Sequence, residues 1–153
     1  MNYYKNGYIY CGLHFIKDIK SLEYIFNHPK YSDYVEELLN FKNIFGENIL
    51  FNTICPKQME VFIKYGANPN AINLAGYNLL QYHDNIDIIK VLLKYRASVF
   101  YRNPSLSVEK KIKSKDKDII QENFMDVINH HYFQRNYKIY NLLLRFKNSI
   151  IIQ

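Results

Sequence analysis

Long apolar runs, tryptophan and paired cysteines are all missing from this 153-residue sequence. No apolar stretch approaches the roughly 18 residues that a membrane-spanning helix requires, so no membrane partner is expected. Residues 1–10 are polar and tyrosine-rich and lack the apolar centre of a secretory signal. The two cysteines, Cys11 and Cys55, have no CxxC spacing and cannot form a metal knuckle alone. Two reduced thiols fit an intracellular protein. Intracellular residence is therefore the expectation.

Catalytic signatures are missing as well. There is no GxSxG elbow, no phosphate-cradling GxxxxGK[ST] and no glycine-rich dinucleotide turn. His130 and His131 are adjacent, so on a helix they point about 100° apart, whereas two metal ligands on one helix face need i,i+4 spacing. His14, His28 and His83 are scattered, with no carboxylate at a telling distance. Cys55 and His83 are the pair from which a nucleophile could be drawn, but proximity between neighbouring repeats is common and argues for nothing by itself. The expectation is no catalytic residue, no metal site and no cofactor.

What is present is a foldable apolar content of 48%, carried largely by 15 tyrosines and 10 phenylalanines. Alanine is scarce, while Asn, Ile, Lys and Tyr are abundant, as in proteins from AT-rich genomes. The net charge of +6 favours an acidic partner, nucleic acid or a membrane surface. Its modest size is also what solubility alone would ask for.

An internal repeat organises the chain. The segment from Gly46 and the segment from Gly76 superpose without a gap at an offset of 30 residues. Identities fall at Gly46/Gly76, Asn48/Asn78, Leu50/Leu80, Val61/Val91, Lys64/Lys94, Tyr65/Tyr95 and Ala67/Ala97. Asn43, Asn73 and Asn103 keep the same spacing. Within each unit Asn48 or Asn78 caps a short first helix, and Pro56 suits the first turn of a second helix. Met59, Phe62 and Ile63, like Ile89, Leu92 and Leu93, share one helical face. Gly66 ends its helix in the left-handed conformation. Arg96 takes that place in the next unit, which predicts a strained or differently shaped terminus. The flanks read as worn copies. Leu22, Ile25 and Phe26 match Met59, Phe62 and Ile63, with a longer loop around Pro29 to Asp33. Ile139, Leu143 and Leu144 match Ile88, Leu92 and Leu93, with Ile119 to Phe133 supplying the preceding helix. Tyr65 and Tyr95 are best explained by packing. Tyr3, Tyr4, Tyr8 and Tyr10 either cover the first unit or form an interaction arm.

The stretch GANPNAINLAGYNLL, from Gly66, resembles the junction between two ankyrin repeats. Gly66 and Ala67 stand at the family's Gly-Ala after the second helix. Asn70 and Asn73 stand at its turn positions, and Gly76 at the glycine opening the next helix. The family's Thr-Pro-Leu-His becomes Asn48-Ile49-Leu50-Phe51 and Asn78-Leu79-Leu80-Gln81, and its usual period is shortened. Such compressed repeats are similar to those of ankyrin proteins from large DNA viruses and some intracellular bacteria.

The resemblance implies an all-α fold, an α-solenoid of about four helix–turn–helix units in one domain. Residues 13–42 form a degenerate first unit, 43–72 and 73–103 the clear units, and 104–153 a degenerate last unit with a basic loop. It also implies a monomeric, non-enzymatic protein that binds another protein, in the host-cell cytoplasm if viral. Family members bind through turn tips and first-helix faces. Here these are Ile44, Phe45, Glu47 and Phe51, then Ile72, Leu74, Tyr77 and Gln81, with Tyr101 and Arg102 extending the row. The competing reading of Phe45, Phe51 and Leu74 is packing between units. A ubiquitin-ligase adaptor role for the helices from Ile119 to Lys147 is an alternative, although they lack a Leu-Pro opening. So is nucleic-acid binding through Lys110, Lys111, Lys113, Lys115 and Lys117, but Glu109, Asp116 and Asp118 dilute that charge and no aromatic is interleaved for stacking. A decayed repeat copy with little activity of its own remains the fourth reading.

Overall fold

Side-chain caps set where most of the helices begin. In the computed structural model, which describes residues 12–13, 15–99, 130–131 and 134–151, the Asp18 carboxylate accepts the Ser21 N–H at 2.8 Å and opens α1, Ile19–Asn27. Asn48 accepts the Leu50 N–H at 3.2 Å and opens a 3-10 helix, Ile49–Asn52. Asn78 and Gln81 close a reciprocal capping box on α4, Leu79–Tyr82. Asn85 accepts the Asp87 N–H at 2.9 Å and opens α5, Ile86–Lys94. Pro56 opens α3, Pro56–Lys64, at a position where no helical hydrogen bond needs its missing N–H. The last helix, α6, spans Tyr137–Ile151. Among the described residues the chain is all-α, and strand pairing is limited to an isolated bridge between Ile72 and Asn78.

The loop around Pro29 to Asp33 runs as turns into a short helix that the sequence pattern does not reveal. A 3-10 turn, Ser32–Tyr34, leads into α2, Val35–Asn40. Its Val35 and Leu39 are buried, and Leu38 is partly so. The apolar spacing of this helix covers little more than one turn, which is too short a pattern to stand out in the sequence.

The 30-residue period is a structural period. α3 and α5 each have nine residues, and both end in the same way. Gly66 has φ +101° and Arg96 has φ +59°. The Ala67 N–H donates to the Phe62 carbonyl at 2.9 Å, and the Ala97 N–H to the Leu92 carbonyl at 2.9 Å. Arg96 therefore keeps the shape of the glycine terminus and carries the strain of a left-handed residue with a Cβ. Arg96→Gly should stabilise the chain by about 0.5–1 kcal/mol, net of glycine's extra unfolded-state entropy. A rise in the urea unfolding midpoint would register it.

The helices lie in two layers. α1, α3, α5 and α6 pack one after another, and the 3-10 helix Ile49–Asn52 and α4 pack against each other and against the adjoining members of that row. The shared core holds Leu22 and Phe26 from α1, Met59 and Phe62 from α3, and Ile88, Ile89 and Leu92 from α5. Ile139 and Leu143 of α6 are fully buried and Leu144 is partly buried, so α6 offers the core the face expected of a further second helix. Tyr65 packs on Phe26 with ring centroids 5.0 Å apart, and the Tyr95 hydroxyl donates to Glu60 at 3.0 Å. Both tyrosines reach back to the preceding helix of the row. Of the helix expected over 119–133, only His130 and His131 are among the described residues.

Candidate protein-interaction surface

Two loops, 43–47 and 73–77, have one design. Asn43 Oδ1 accepts the N–H groups of Phe45 at 2.8 Å and Glu47 at 3.0 Å. Asn73 Oδ1 accepts the Tyr77 N–H at 3.0 Å. The Asn43 and Asn73 N–H groups donate to the Glu47 and Tyr77 carbonyls at 3.0 and 3.1 Å. Gly46 and Gly76 supply the positive φ that each turn needs, +73° and +82°. The two turns are joined by one hydrogen bond, from the Leu74 N–H to the Phe45 carbonyl at 2.8 Å.

An asparagine ladder ties the segments that follow α3 and α5 to residues on either side of these turns. Asn40 Oδ1 accepts the Asn68 N–H at 2.7 Å, and Asn70 Oδ1 accepts the Ser98 N–H at 2.6 Å. The Asn48 side chain donates to the Asn68 carbonyl at 3.2 Å, and the Asn78 side chain donates to the Ser98 carbonyl at 3.4 Å. Each pair repeats at the offset of 30. The signal was available in the sequence as Asn40/Asn70, but it lies just before Gly46, where the superposition of the two units begins.

The expected surface residues divide into two groups. Ile44 is 84% exposed, Phe45 60%, Leu74 79% and Tyr77 40%, so the turn tips carry a row of apolar side chains in water. Ile72 is half-buried beside its bridge to Asn78. Glu47, Phe51 and Gln81 do not belong to an open contact row. Glu47 is buried and accepts from the side chains of Asn43 at 3.1 Å and Asn52 at 3.4 Å. Phe51 is buried and meets the Tyr82 ring edge-on at 5.0 Å. Gln81 is consumed by its capping box. Packing between units thus describes Phe51, while Phe45 and Leu74 remain open to solvent. Tyr101 and Arg102, the lysine loop at 109–118 and the N-terminal tyrosines lie outside the described residues.

Burial shapes the titrating groups behind the tips. Desolvation, followed by the Glu47 carboxylate, pushes the Tyr82 phenol up, so this hydroxyl stays protonated. His83 and His131 are both buried, and desolvation lowers the pKa of each ring. The His83 Nε2–H donates to the Leu50 carbonyl at 2.9 Å, so this nitrogen is committed to the backbone and not to the Cys55 thiol. Among the described residues no cluster of His, Cys, Asp and Glu could hold a metal ion, and no helix is long and apolar enough to cross a membrane. No protein-family model, curated protein or solved structure matches this chain.

Proposed function

We propose that the chain is a short stack of about four ankyrin-like units that binds another protein, without catalysis, through the turn tips Ile44, Phe45, Leu74 and Tyr77. The observation that carries this reading is the Leu74-to-Phe45 hydrogen bond beneath exposed apolar side chains. It holds neighbouring tips in fixed register, so little conformational entropy remains to be lost when a partner covers them. Contiguous exposed apolar groups are also uncommon on surfaces that meet only water. The equal period of α3 and α5, their matching left-handed ends and the repeated asparagine turns support the repeat assignment. The compressed period and AT-rich composition extend it to a viral factor that meets host proteins in the cytoplasm.

The adaptor reading is weaker, because α6 spends Ile139 and Leu143 on the core. Replacing Ile44 and Leu74 together by Asp tests the turn-tip surface. Partner recovery by affinity purification and cross-linking should fall at least tenfold, as for loss of an apolar anchor at an interface. The circular dichroism spectrum should not change, since both side chains stand in solvent. Undiminished recovery with the double variant would refute this surface.

A further inference from the structure

We propose that His83 and His131 are acid-sensitive locks between successive units, each pinning its own unit to the backbone of the unit before it while its ring is neutral, and each costing stability as a buried charge when the pH falls. His83 Nε2 meets the Leu50 carbonyl at 2.9 Å, and His131 Nε2 meets the Leu80 carbonyl. Leu50 and Leu80 are repeat-equivalent, 30 residues apart and both buried. The two histidines therefore do the same thing at consecutive junctions. Thr53, which stands where His83 does one unit earlier, instead donates to the Ile49 carbonyl within its own unit at 2.8 Å. The histidine contact thus begins at the second clear unit and is repeated at the next.

A carbonyl only accepts, so each locked ring carries its proton on Nε2. Protonation adds a second N–H at Nδ1 and a full charge, in rings that are only 8% and 2% exposed. Among the described residues no acceptor meets either Nδ1. Among the described residues the cation then finds no partner, and a ring so little exposed is penalised for carrying charge.

The surrounding groups do not reverse this. Around His83 stand Asp84, the Tyr82 ring at 5.6 Å and, bonded to Tyr82, Glu47. Around His131 stand His130, with ring centroids 5.4 Å apart, and Asp84, while His130 itself faces Tyr77 at 5.5 Å. On α5, Asp87 is paired with Lys90 at 2.9 Å on the solvent side. The Leu50 and Leu80 carbonyls favour the cation, and so, more weakly, does Asp84, which is exposed and screened. Desolvation outweighs both at each ring and favours the neutral form. His130 opposes a charge on His131 further.

The sign follows from proton uptake. The unfolded rings bind a proton near the ordinary value of 6.5, and the folded rings bind it only at lower pH. Stability is complete above pH 6.5 and falls as the pH drops below it, levelling only once the folded rings are also protonated. Each histidine can raise the unfolding constant by up to about tenfold per pH unit, and the two together by up to about a hundredfold. This window lies above the carboxylate range, so acid denaturation through Asp and Glu does not overlap it.

The test is urea unfolding of the full chain between pH 7.5 and 5.5, as wild type and as His83→Gln/His131→Gln, which keeps a side-chain N–H donor and removes the titration. The wild type should lose stability steeply below pH 6.5, and the double variant should keep only the slope of His130, whose pKa burial also lowers. A flat wild type, or a double variant as steep as the wild type, overturns the proposal. Should the double variant not fold, ring-proton NMR on the wild type decides. Both rings should titrate below the ordinary histidine value in the folded chain, and rings that titrate at or above it with the fold intact overturn it.

Discussion

Phe62→Ala should destabilise the chain by about 3–5 kcal/mol, the largest loss expected from a single core truncation. Phe62 is fully buried on α3 and lies 6.1 Å, ring to ring, from Phe26 of α1. α3 packs between α1 and α5, so a cavity there loosens two junctions. α1 and α5 pack on either side of α3, so the cavity weakens the core they share. A domain of this size is stable by about 5–15 kcal/mol, so the variant should populate the unfolded state readily in low urea. Ile63→Ala, on the half-buried flank of the same helix, should cost clearly less. Urea titrations of the two variants measure the difference. Equal losses would mean that α3 is not packed between its neighbours as described.

How much of this was legible in the sequence depended on the range over which each signal acts. The caps at Asn48, Asn78 and Pro56 and the glycine end at Gly66 are local, and all four stand where the residue chemistry put them. The apolar faces of α1, α3, α5 and α6 span two turns or more, so their period could be read. The intrinsic preference of Arg96 disfavours positive φ. The surrounding unit overrode that preference, since Ala97 and the Leu92 carbonyl close the same hydrogen bond as Ala67 and Phe62. Glu47, Phe51 and Gln81 occupy sequence positions that match exposed positions in similar repeats. Whether such a side chain turns inward depends on partners such as Asn52 and Tyr82, which the pattern alone does not assign. The His83 and His131 contacts were invisible for a related reason. They join a side chain to a carbonyl in another unit, 33 and 51 residues away.

Gly46→Val should cost about 2–4 kcal/mol and separate the two turn tips. Gly46 has φ +73°, where a β-branched residue is a true outlier. A Cβ there would come within 3.0 Å of Leu74 Cγ and 3.1 Å of the Leu74 backbone nitrogen. The side chain of Leu74 can move, but its nitrogen is tied to the Phe45 carbonyl at 2.8 Å. The variant therefore combines strain of about 1–3 kcal/mol with the loss of a hydrogen bond worth about 1 kcal/mol. Gly66→Ala separates the two effects. Its φ is +101°, yet the atoms a Cβ would meet belong to the Glu36 side chain, which is exposed and can rotate away. That variant should show the strain alone, about 1 kcal/mol. Hydrogen exchange at the Leu74 amide gives the most direct readout. Gly46→Val should accelerate it strongly, and Gly66→Ala should leave it nearly unchanged. If the Leu74 amide stays protected in Gly46→Val, the tips are held by something other than their mutual hydrogen bond. The register on which the proposed binding surface depends would then rest on the helices behind it, and charged replacements at Ile44 and Leu74 would remain the decisive test of that surface.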